Sequence, residues 1–395
     1  MRKLTQLLRH ILLLPKLIST CLKLRKIPVS TRLFCFFPYY QTGGSERVHA
    51  DILQSVSGTI PRDQLLIFFT KPSKSTTFQG FFNQVGHCLE ISELDRSKYR
   101  PILIRQISRA INRCAQPVVL GANATFLYEI IPHVRGSIRI VDLTHSFVPE
   151  STNPVERASL PHIPRLTKRV VINQAVRNDY EQLYSDQGWA QKEWLDRLEV
   201  IHNALGTPAW DFSRKEYSVP PLKILFVGRN SPEKRIPLIG RIAHALRAEP
   251  VEFTLVGAHL DQSVEPDHRA SITFTGEITD PGTLADLYKK HHVILITSRR
   301  EGFPLVLAEG MAHGAIPIST DVGGIAHHVL HQKNGYLVEN YADETQIVDE
   351  MAHYIKQLLN NPALLPVLGK AAQEEAYRSF SPAVFADKWR NLLTT

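Results

Sequence analysis

The chain has 395 residues, of which 43% are hydrophobic and 21% charged, and it carries a net charge of +8. This composition excludes a disordered or collagen-like protein, and the length exceeds one ordinary domain and fits two. The four cysteines lie in the first third of the chain without the spacing of metal ligands. We therefore expect reduced thiols in a cytosolic protein, and neither a disulfide framework nor a zinc site.

The positive charge is concentrated at the amino terminus, since no acidic residue precedes Glu46. Residues 1–30 mix leucines and isoleucines with lysines and arginines, and Arg9, Pro15 and Lys16 interrupt the run of about 20 apolar residues that a spanning helix needs. We predict a basic amphipathic segment that lies on an anionic membrane surface. A helix packed on the protein's own surface is the alternative, and a signal peptide is a weaker one. We expect no nucleic-acid partner, because no aromatic-interleaved basic motif occurs.

Short apolar runs alternate with helical patterns along residues 31–205, which predicts a doubly wound parallel sheet. The predicted strands are Thr31–Phe37, Leu65–Thr70, Cys88–Ile91, Val118–Gly121, Ile138–Leu143, Arg169–Asn173 and Leu198–Ile201. Gly43 and Gly44 follow the first of these strands and precede a helix, and His145 follows a later strand end. Because the carboxyl ends of parallel strands meet at one edge of a sheet, we expect these residues to face the same crevice.

A second series of strands and helices follows a proline-containing segment without periodicity. Residues 206–221 are predicted to connect two domains, and residues 222–378 to form the second domain, again around a parallel sheet. Its predicted strands are Leu222–Gly228, Phe253–Gly257, Ile272–Gly276, Val293–Thr297 and Gly335–Val338. Residues 379–395 contain a final helix that begins with Ser381 as N-cap and Pro382 at the first helical position.

Two strand-to-helix junctions in the second domain carry the residues best suited to binding chemistry. At one of them Pro304 can begin a helix, whose free N–H groups suit an anion. Glu301 in the preceding loop and Glu309 in the helix suit the hydroxyl groups of a sugar. At the other junction Arg229 and Lys234 suit a diphosphate. Each of these charges taken alone is more typical of a solvated surface residue.

Three patterns at these positions, taken together, resemble a known enzyme family. The stretch Glu301-Gly-Phe-Pro-x4-Glu309 resembles the E-x7-E signature of retaining glycosyltransferases of family 4, and Gly228-Arg229-x4-Lys234 resembles that family's Gly-Arg-x4-Lys motif. The loop at Gly43 and Gly44 resembles its Gly-Gly-x-Glu loop. The resemblance covers about residues 31–395. Where many relatives have glycine after the lysine this chain has Arg235, a difference that we expect to be harmless.

The resemblance implies the GT-B fold, in which two Rossmann-like doubly wound α/β domains face each other across a cleft and the C-terminal helix crosses back to the first domain. It also implies transfer of a sugar from a nucleotide-diphosphate donor, with uridine diphosphate expected as the commonest carrier, to a hydroxyl of a lipid-linked or cell-surface saccharide. A peripheral position on the cytoplasmic face of the membrane would suit such an acceptor.

The residues that the resemblance implicates fall into two groups. Arg229 and Lys234 would hold the diphosphate, Glu309 the ribose hydroxyls, and Glu301, His145 and the backbone amides of Phe303 and Pro304 the sugar. The implied catalytic residues are Glu301, His145, Arg229 and Lys234, and the implied donor-binding residues are Gly43, Gly44, Gly228, Arg229, Lys234, Gly276, Ile278, Glu301, Gly302, Phe303, Pro304, Leu305 and Glu309.

No Asp-x-Asp motif stands in a convincing loop, so we expect neither a metal requirement nor a bound cofactor. Two alternatives stay open from the sequence. One is a nucleotide-sugar epimerase or a phosphorylase of the same fold, although no lysine lies in a pyridoxal-binding context. The other is a non-catalytic subunit that keeps the fold and binds a partner enzyme or a membrane.

Overall fold

The structure is a computed structural model that describes residues 2–147, 155–205 and 211–394, with side chains from residue 12 onward. Part of the predicted amphipathic segment and residues 206–210 of the predicted connection therefore lie outside the described residues. The chain divides into two compact units. The first comprises Met1–Ile172, Arg177–Ile201 and Ala383–Thr395, and the second comprises Asn173–Val176 and His202–Pro382.

The described strands are β1 (Leu33–Phe37), β2 (Leu65–Phe69), β3 (His87–Glu90), β4 (Val118–Ala122), β5 (Arg139–Thr144), β6 (Lys168–Val171), β7 (Leu198–Val200), β8 (Leu222–Val227), β9 (Val251–Val256), β10 (Ile272–Gly276), β11 (Val293–Ile296), β12 (Ile316–Thr320) and β13 (Tyr336–Val338). The described α-helices are α1 (Arg2–Arg25), α2 (Gly44–Val56), α3 (Gln79–Val85), α4 (Ser92–Asp95), α5 (Arg100–Arg113), α6 (Thr125–Ile130), α7 (Val155–Ser159), α8 (Gln174–Asp186), α9 (Lys192–Leu195), α10 (Ile236–Ala245), α11 (Pro281–Lys290), α12 (Leu305–Ala312), α13 (Glu344–Asn360), α14 (Leu364–Phe380) and α15 (Pro382–Thr394). Short 3₁₀ helices span Arg62–Gln64, Ile131–His133, Leu160–Arg165, Phe212–Arg214, Pro232–Lys234, Leu260–Ser263, Pro266–Ser271 and Ile325–His327.

The first unit is built on a parallel sheet. Within the described residues its strand order is β3-β2-β1-β4-β5-β6-β7, so the order reverses at β1. Every residue of β1 and β2 is buried, as expected of strands covered by helices on both faces. The C-terminal helix α15 belongs to this unit, since Arg32 and Arg139 donate hydrogen bonds to the carbonyls of Thr394 and Leu392.

The second unit is built on another parallel sheet, whose described strands follow the order β10-β9-β8-β11-β12-β13. Alternate residues of its central strands enter different apolar clusters. Ile224 and Leu295 pack in one cluster with residues of α10 and α13, whereas Leu225 and Ile294 pack in the other with residues of α12 and α14. This two-sided burial explains why these strands are continuous apolar runs in the sequence. Two doubly wound parallel sheets are thus present, which confirms the predicted fold class.

Strand β12 is absent from the predicted strands; it contains a proline and lies in the interior of the sheet, between β11 and β13. Pro317 is opposite Ile294 of β11, and the pairing with β13 begins only at the next residue, Ile318. The missing N–H of the proline therefore falls just before this ladder starts. Gly335 fits against the ring, since a β-carbon there would lie 2.4 Å from Pro317 Cγ.

Helix α1 packs on the first unit by one face. Leu13, Leu17 and Leu24 are buried in a cluster with residues of α5, and Arg113 of α5 donates hydrogen bonds to the carbonyls of Leu24 and Arg25. For the face of α1 that carries these leucines, the alternative prediction of a helix packed on the protein's own surface is therefore confirmed. No helix in the described part of the chain is long and apolar enough to cross a bilayer.

Candidate functional site

The loops after β8 and β11 lie side by side in the second unit. The two strands pair in parallel, Ile224 opposite Val293 and Leu225 opposite Ile294, so their carboxyl ends reach the same edge of the sheet. The N–H of Arg299 in one loop donates to the carbonyl of Glu233 in the other, with an N···O distance of 2.7 Å. This edge, where a helix begins after each loop, is where ligands of open α/β sheets bind.

Lys234 and Glu301, which two different motifs place in these loops, form an ion pair. Lys234 Nζ lies 2.5 Å from Glu301 Oε1, and the Ser298 hydroxyl donates to the same oxygen at 2.6 Å. The side chains are only 17% and 10% exposed, so screening by water is weak and the attraction strong. The pair fixes Glu301 at the edge of the sheet. An ammonium group has three N–H donors, so the ion pair with Glu301 does not use all the donors of Lys234.

Arg235 follows Lys234 in the left-handed region, with φ at 49° and ψ at 48°. Its buried guanidinium donates from Nε to the carbonyl of Thr297 at 2.7 Å, and from Nη2 to the carbonyl of Ser298 at 3.0 Å and to Asn340 Oδ1 at 2.8 Å. Burial lowers the pKa of Arg235, and Glu344 opposes that shift. This side chain ties the start of α10 to the end of β11, so arginine at this position supports the loop, and the expectation that the difference is harmless stays a prediction.

A second pair of glycines lets the backbone approach the loop that carries Glu301. Gly323 has a φ of 59°, and a β-carbon there would lie 1.9 Å from the carbonyl oxygen of Glu301. The N–H of Gly324 donates to the carbonyl of Gly302 at 2.9 Å. The Asp321-Val-Gly-Gly324 stretch is therefore a backbone support for this loop, since only glycine fits at position 323.

Phe303, two residues before the start of α12, anchors the loop to the unit's core. Its ring stacks on Phe380 with centroids 4.7 Å apart and contacts His328 at 4.9 Å. The Nδ1 atom of His328 lies 2.9 Å from a carboxylate oxygen of Glu375. Pro304 stands at the N-cap position. The expectation of a backbone amide donor at Pro304 is wrong, because proline has no N–H, so the donors of this helix start begin with Leu305.

Glu309 lies on the second turn of α12 and is 6% exposed. The hydroxyl of Tyr288 on α11 donates to Glu309 Oε2 at 3.1 Å. The ring of Tyr288 stacks on His313, whose Nδ1 lies 2.8 Å from the carbonyl oxygen of Glu309. The carboxylate is therefore oriented by a neighbouring helix, and Tyr288 is a residue that the sequence motifs did not indicate.

The remaining predicted donor-binding residues of this unit line the ends of β8 and β10. The N–H of Gly228 donates to the carbonyl of Val256, and Arg229 after it is exposed. Gly276 adopts a φ of 74°, and Ile278 is half-buried against the cluster that contains α12 residues. The backbone turn at Gly276 thus has the conformation that glycine adopts without strain.

Three further predicted residues belong to the first unit. Gly44 is the first residue of α2, and Gly43 precedes it with extended backbone, its carbonyl accepting from the N–H of Arg47. His145 follows β5 and is buried. The structure thus brings Lys234, Glu301 and the start of α12 together in one unit, whereas the donor contacts of Gly43, Gly44 and His145 stay predictions.

His145 forms a hydrogen bond with His49, a residue of α2 that the sequence analysis did not identify. Their Nε2 atoms are 2.9 Å apart, and the ring of His49 stacks on Phe37 with centroids 4.2 Å apart. Burial lowers the pKa of His145 to about 4 and holds that of His49 well below its usual value. Both imidazoles are therefore neutral at pH 7, and one donates to the other.

The described residues include no group of three or more His, Cys, Asp or Glu side chains that could hold a metal ion. The expectation of a metal-independent reaction stays a prediction.

Comparison with known proteins identifies the type of domain. Residues 221–361 match the family described as Glycosyl transferases group 1. A poly(ribitol-phosphate) alpha-N-acetylglucosaminyltransferase of Staphylococcus aureus is 26% identical over 178 residues, which are 43% of this chain and 34% of that protein. The match thus spans about a third of this relative's length. An uncharacterized glycosyltransferase of Methanocaldococcus jannaschii is 28% identical over 313 residues, 73% of this chain and 84% of that protein.

The fold of the whole chain has solved counterparts. An Anabaena protein determined in complex with UDP and glucose superposes with a TM-score of 0.69 at 16% sequence identity, over 92% of this chain and 100% of the other. This similarity shows the fold, which is that of GT-B glycosyltransferases.

Proposed function

We propose that this chain, whose residues 221–361 are a group 1 glycosyltransferase domain, is a retaining glycosyltransferase of the E-x7-E type with a uridine-diphosphate sugar as its donor. The observation that carries the proposal is the junction of the two loops in the second unit. There Lys234 and Glu301 form an ion pair, and α12 begins four residues after Glu301. One cation, one carboxylate and one helix start thus converge on a single edge of the sheet.

The chemistry of sugar transfer explains what these groups would do. When the glycosyl–phosphate bond breaks, negative charge develops on the departing diphosphate and positive charge on the sugar. Arg229, Lys234 and the N–H groups at the start of α12 would supply the cations and dipoles that stabilise that diphosphate. Because the gain is largest where charge develops, such groups lower the barrier more than they tighten ground-state binding.

The two glutamates have different roles in this proposal. Glu309, held by Tyr288, accepts hydrogen bonds from the ribose hydroxyls, since a carboxylate beside hydroxyls forms charge-assisted bonds. Glu301 accepts hydrogen bonds from the donor sugar while Lys234 neutralises its charge next to the phosphates. From the first unit, we propose that neutral His145 contacts the sugar and that the loop at Gly43 and Gly44 contacts the donor.

For the acceptor we propose a hydroxyl of a lipid-linked or cell-surface saccharide. The relative from Staphylococcus aureus is named for transfer to poly(ribitol-phosphate), and the amino-terminal segment of this chain is basic, with no acidic residue before Glu46. A peripheral position on the cytoplasmic face of a membrane follows from that charge, because anionic lipids attract basic segments.

Calorimetric titration of the purified protein with UDP, GDP and ADP tests the donor site. We expect selective binding of UDP that weakens about 10–100-fold in Arg229→Ala and in Glu309→Gln, the loss of one charge-assisted hydrogen bond. Arg247→Ala, which removes an exposed arginine beyond the other end of α10, is the matched control and should bind as the wild type does. Binding of none of the three nucleotides would contradict the proposed site.

The stereochemistry tests the reaction. With UDP-α-glucose and no acceptor, slow hydrolysis of the donor can be followed by proton NMR, and a retaining enzyme releases α-glucose first. Initial release of the β-anomer would refute retention while leaving the donor site intact. Addition of EDTA should leave the rate unchanged, and a loss that Mg²⁺ restores would overturn the prediction of metal independence.

A further inference from the structure

Helix α1 precedes β1 and is held on the first unit by the face described above. Besides Leu13, Leu17 and Leu24, Thr20 on this face is also buried. An ion pair of 2.8 Å joins Lys16 to Glu93 of α4. The orientation of the helix about its own axis is therefore fixed by its contacts, and so is the identity of the face turned away from the protein.

That opposite face carries an unpartnered apolar stripe. Leu14, Ile18 and Leu22 follow each other at a spacing of four residues and are 43%, 52% and 50% exposed. Residues four apart lie on one side of a helix, so the three side chains form a continuous row. In the sequence, apolar residues continue at helical spacing toward the amino terminus at positions 11, 7 and 4. Isolated exposed apolar residues are ordinary, whereas a row of them marks an interaction surface.

Cations stand at the carboxyl end of this stripe. Lys23 and Lys26 line the groove beside Leu22, and they also line a neighbouring cavity of about 430 Å³. Arg62 and Asp63 line the same cavity, and Arg62 Nε is held by the carbonyl of Asn83 at 3.0 Å. Three cations thus face one carboxylate around a cavity that adjoins the apolar row.

We propose that this face of α1 docks on an anionic lipid bilayer, with Leu14, Ile18 and Leu22 among the acyl chains. Lys23, Lys26 and Arg62 lie at the level of the lipid phosphates. An apolar row flanked by lysines is the arrangement of helices that lie in a membrane interface. A second copy of the chain is a poorer occupant, because both copies would present the same positively charged face and these faces would repel each other.

The docking face deepens the membrane position given under the proposed function, and it depends on α1 and the basic residues beside it, none of which belongs to the proposed donor site. Its failure and the failure of the proposed reaction are therefore measured separately, by vesicle binding and by UDP titration. The proposed reaction would survive without vesicle binding, and vesicle binding would survive without UDP binding.

The test is flotation of the full chain with vesicles of phosphatidylcholine alone and of phosphatidylcholine with phosphatidylglycerol. We expect binding to the anionic vesicles that falls by about tenfold or more in Ile18→Gln/Leu22→Gln. In Lys23→Gln/Lys26→Gln, binding to the anionic vesicles should fall about fivefold for each lysine, and this loss should be larger at low salt than at high salt. The matched control Val367→Gln/Val384→Gln removes two equally exposed apolar residues from α14 and α15 and should bind as the wild type does.

Circular dichroism and UDP titration of each variant show whether the fold is kept, which is expected because the replaced side chains are exposed. The proposal is overturned if the wild type floats with neither vesicle, or if the control variant loses as much binding as Ile18→Gln/Leu22→Gln. It is also overturned if the stripe proves to be a protein contact. In that case the wild type would self-associate in sedimentation, the stripe variant would be monomeric, and neither would bind lipid.

Discussion

Arg235 offers a direct test of how the site is held together, because its two structural roles have opposite signs. Its guanidinium satisfies three acceptors on the loop after β11 and on Asn340, which stabilises the native state. Its backbone adopts a left-handed conformation, which destabilises any residue other than glycine by about 1–2 kcal/mol. Substitution by alanine and by glycine separates the two contributions.

Both variants remove the guanidinium. A hydrogen bond from a charged donor contributes about 1.5–3 kcal/mol, and three bonds to one group are not additive, so we expect a loss of about 3 kcal/mol in Arg235→Ala. Arg235→Gly relieves the backbone strain at the expense of about 0.5–1 kcal/mol of unfolded-state entropy. The glycine variant should therefore be more stable than the alanine variant by about 1 kcal/mol.

The assay is thermal unfolding followed with and without saturating UDP. For a unit of this size, 1 kcal/mol corresponds to about 2–4 °C, so Arg235→Ala should unfold about 6–12 °C below the wild type. Arg235→Gly should then unfold about 2–4 °C above Arg235→Ala. Both variants should bind UDP more weakly, because Lys234 is the preceding residue and loses its support.

Position 247 is the matched control, since Arg247 is exposed and is not among the residues with positive φ. Here glycine has no strain to relieve, so Arg247→Gly should be slightly less stable than Arg247→Ala. The reasoning is refuted if Arg235→Gly is no more stable than Arg235→Ala, which would mean that strain is not released. It is refuted equally if both variants at position 235 have the melting temperature of the wild type, which would mean that the three hydrogen bonds contribute nothing to stability.

Three other outcomes follow from the geometry. Tyr288→Phe removes the buried hydrogen bond to Glu309, and titration should show UDP binding weakened about 5–10-fold with the melting temperature lowered by a few degrees; unchanged affinity would contradict the role of Tyr288. Gly323→Ala places a β-carbon against the carbonyl of Glu301, so donor hydrolysis should be lost while the circular dichroism spectrum is kept; full activity would mean that the loop does not need this approach. The pKa of His145 is lowered to about 4 in the folded state, so its contribution to stability is present above pH 6.5 and is lost as the pH falls from 6.5 toward 4. In His145→Gln the denaturation midpoint should depend less on pH between pH 4 and 6.5 than it does in the wild type. An unchanged pH dependence would exclude the burial of His145 as a neutral group.

Much of the fold was predictable because it depends on local patterns. Each strand predicted from an apolar run is present, with ends shifted by one or two residues, and α12 begins after Pro304 and ends before Gly314 as the pattern indicates. Strand β12 has no clear signal in the sequence, because proline is disfavoured inside a sheet only where its missing N–H would have donated to a neighbouring strand. Whether that N–H would have had a partner depends on where β13 begins its ladder, which no local pattern contains.

The site was predictable only in its motif residues. Glu301, Glu309 and Lys234 stand at recognisable spacings, but their partners come from other elements. Tyr288 is 21 positions from Glu309 and lies on a different helix. Neither Tyr288 nor Arg235 carries a signal of its own in a single sequence, because a tyrosine on a helix or an arginine after a lysine is ordinary. Their roles arise from contacts between elements that are distant along the chain.

The bonds between the loops after β8 and β11 have a consequence for how a donor would be selected. Arg299 to Glu233, Lys234 to Glu301 and Arg235 to Thr297 join the two loops through backbone and side chains alike. Two loops cross-linked in this way lose little conformational entropy when a ligand binds, because they are already ordered when the protein folds. Discrimination between nucleotides would then depend on shape and hydrogen-bond complementarity to a surface that already exists, and the amide of Arg299 should exchange with solvent slowly even before a nucleotide binds.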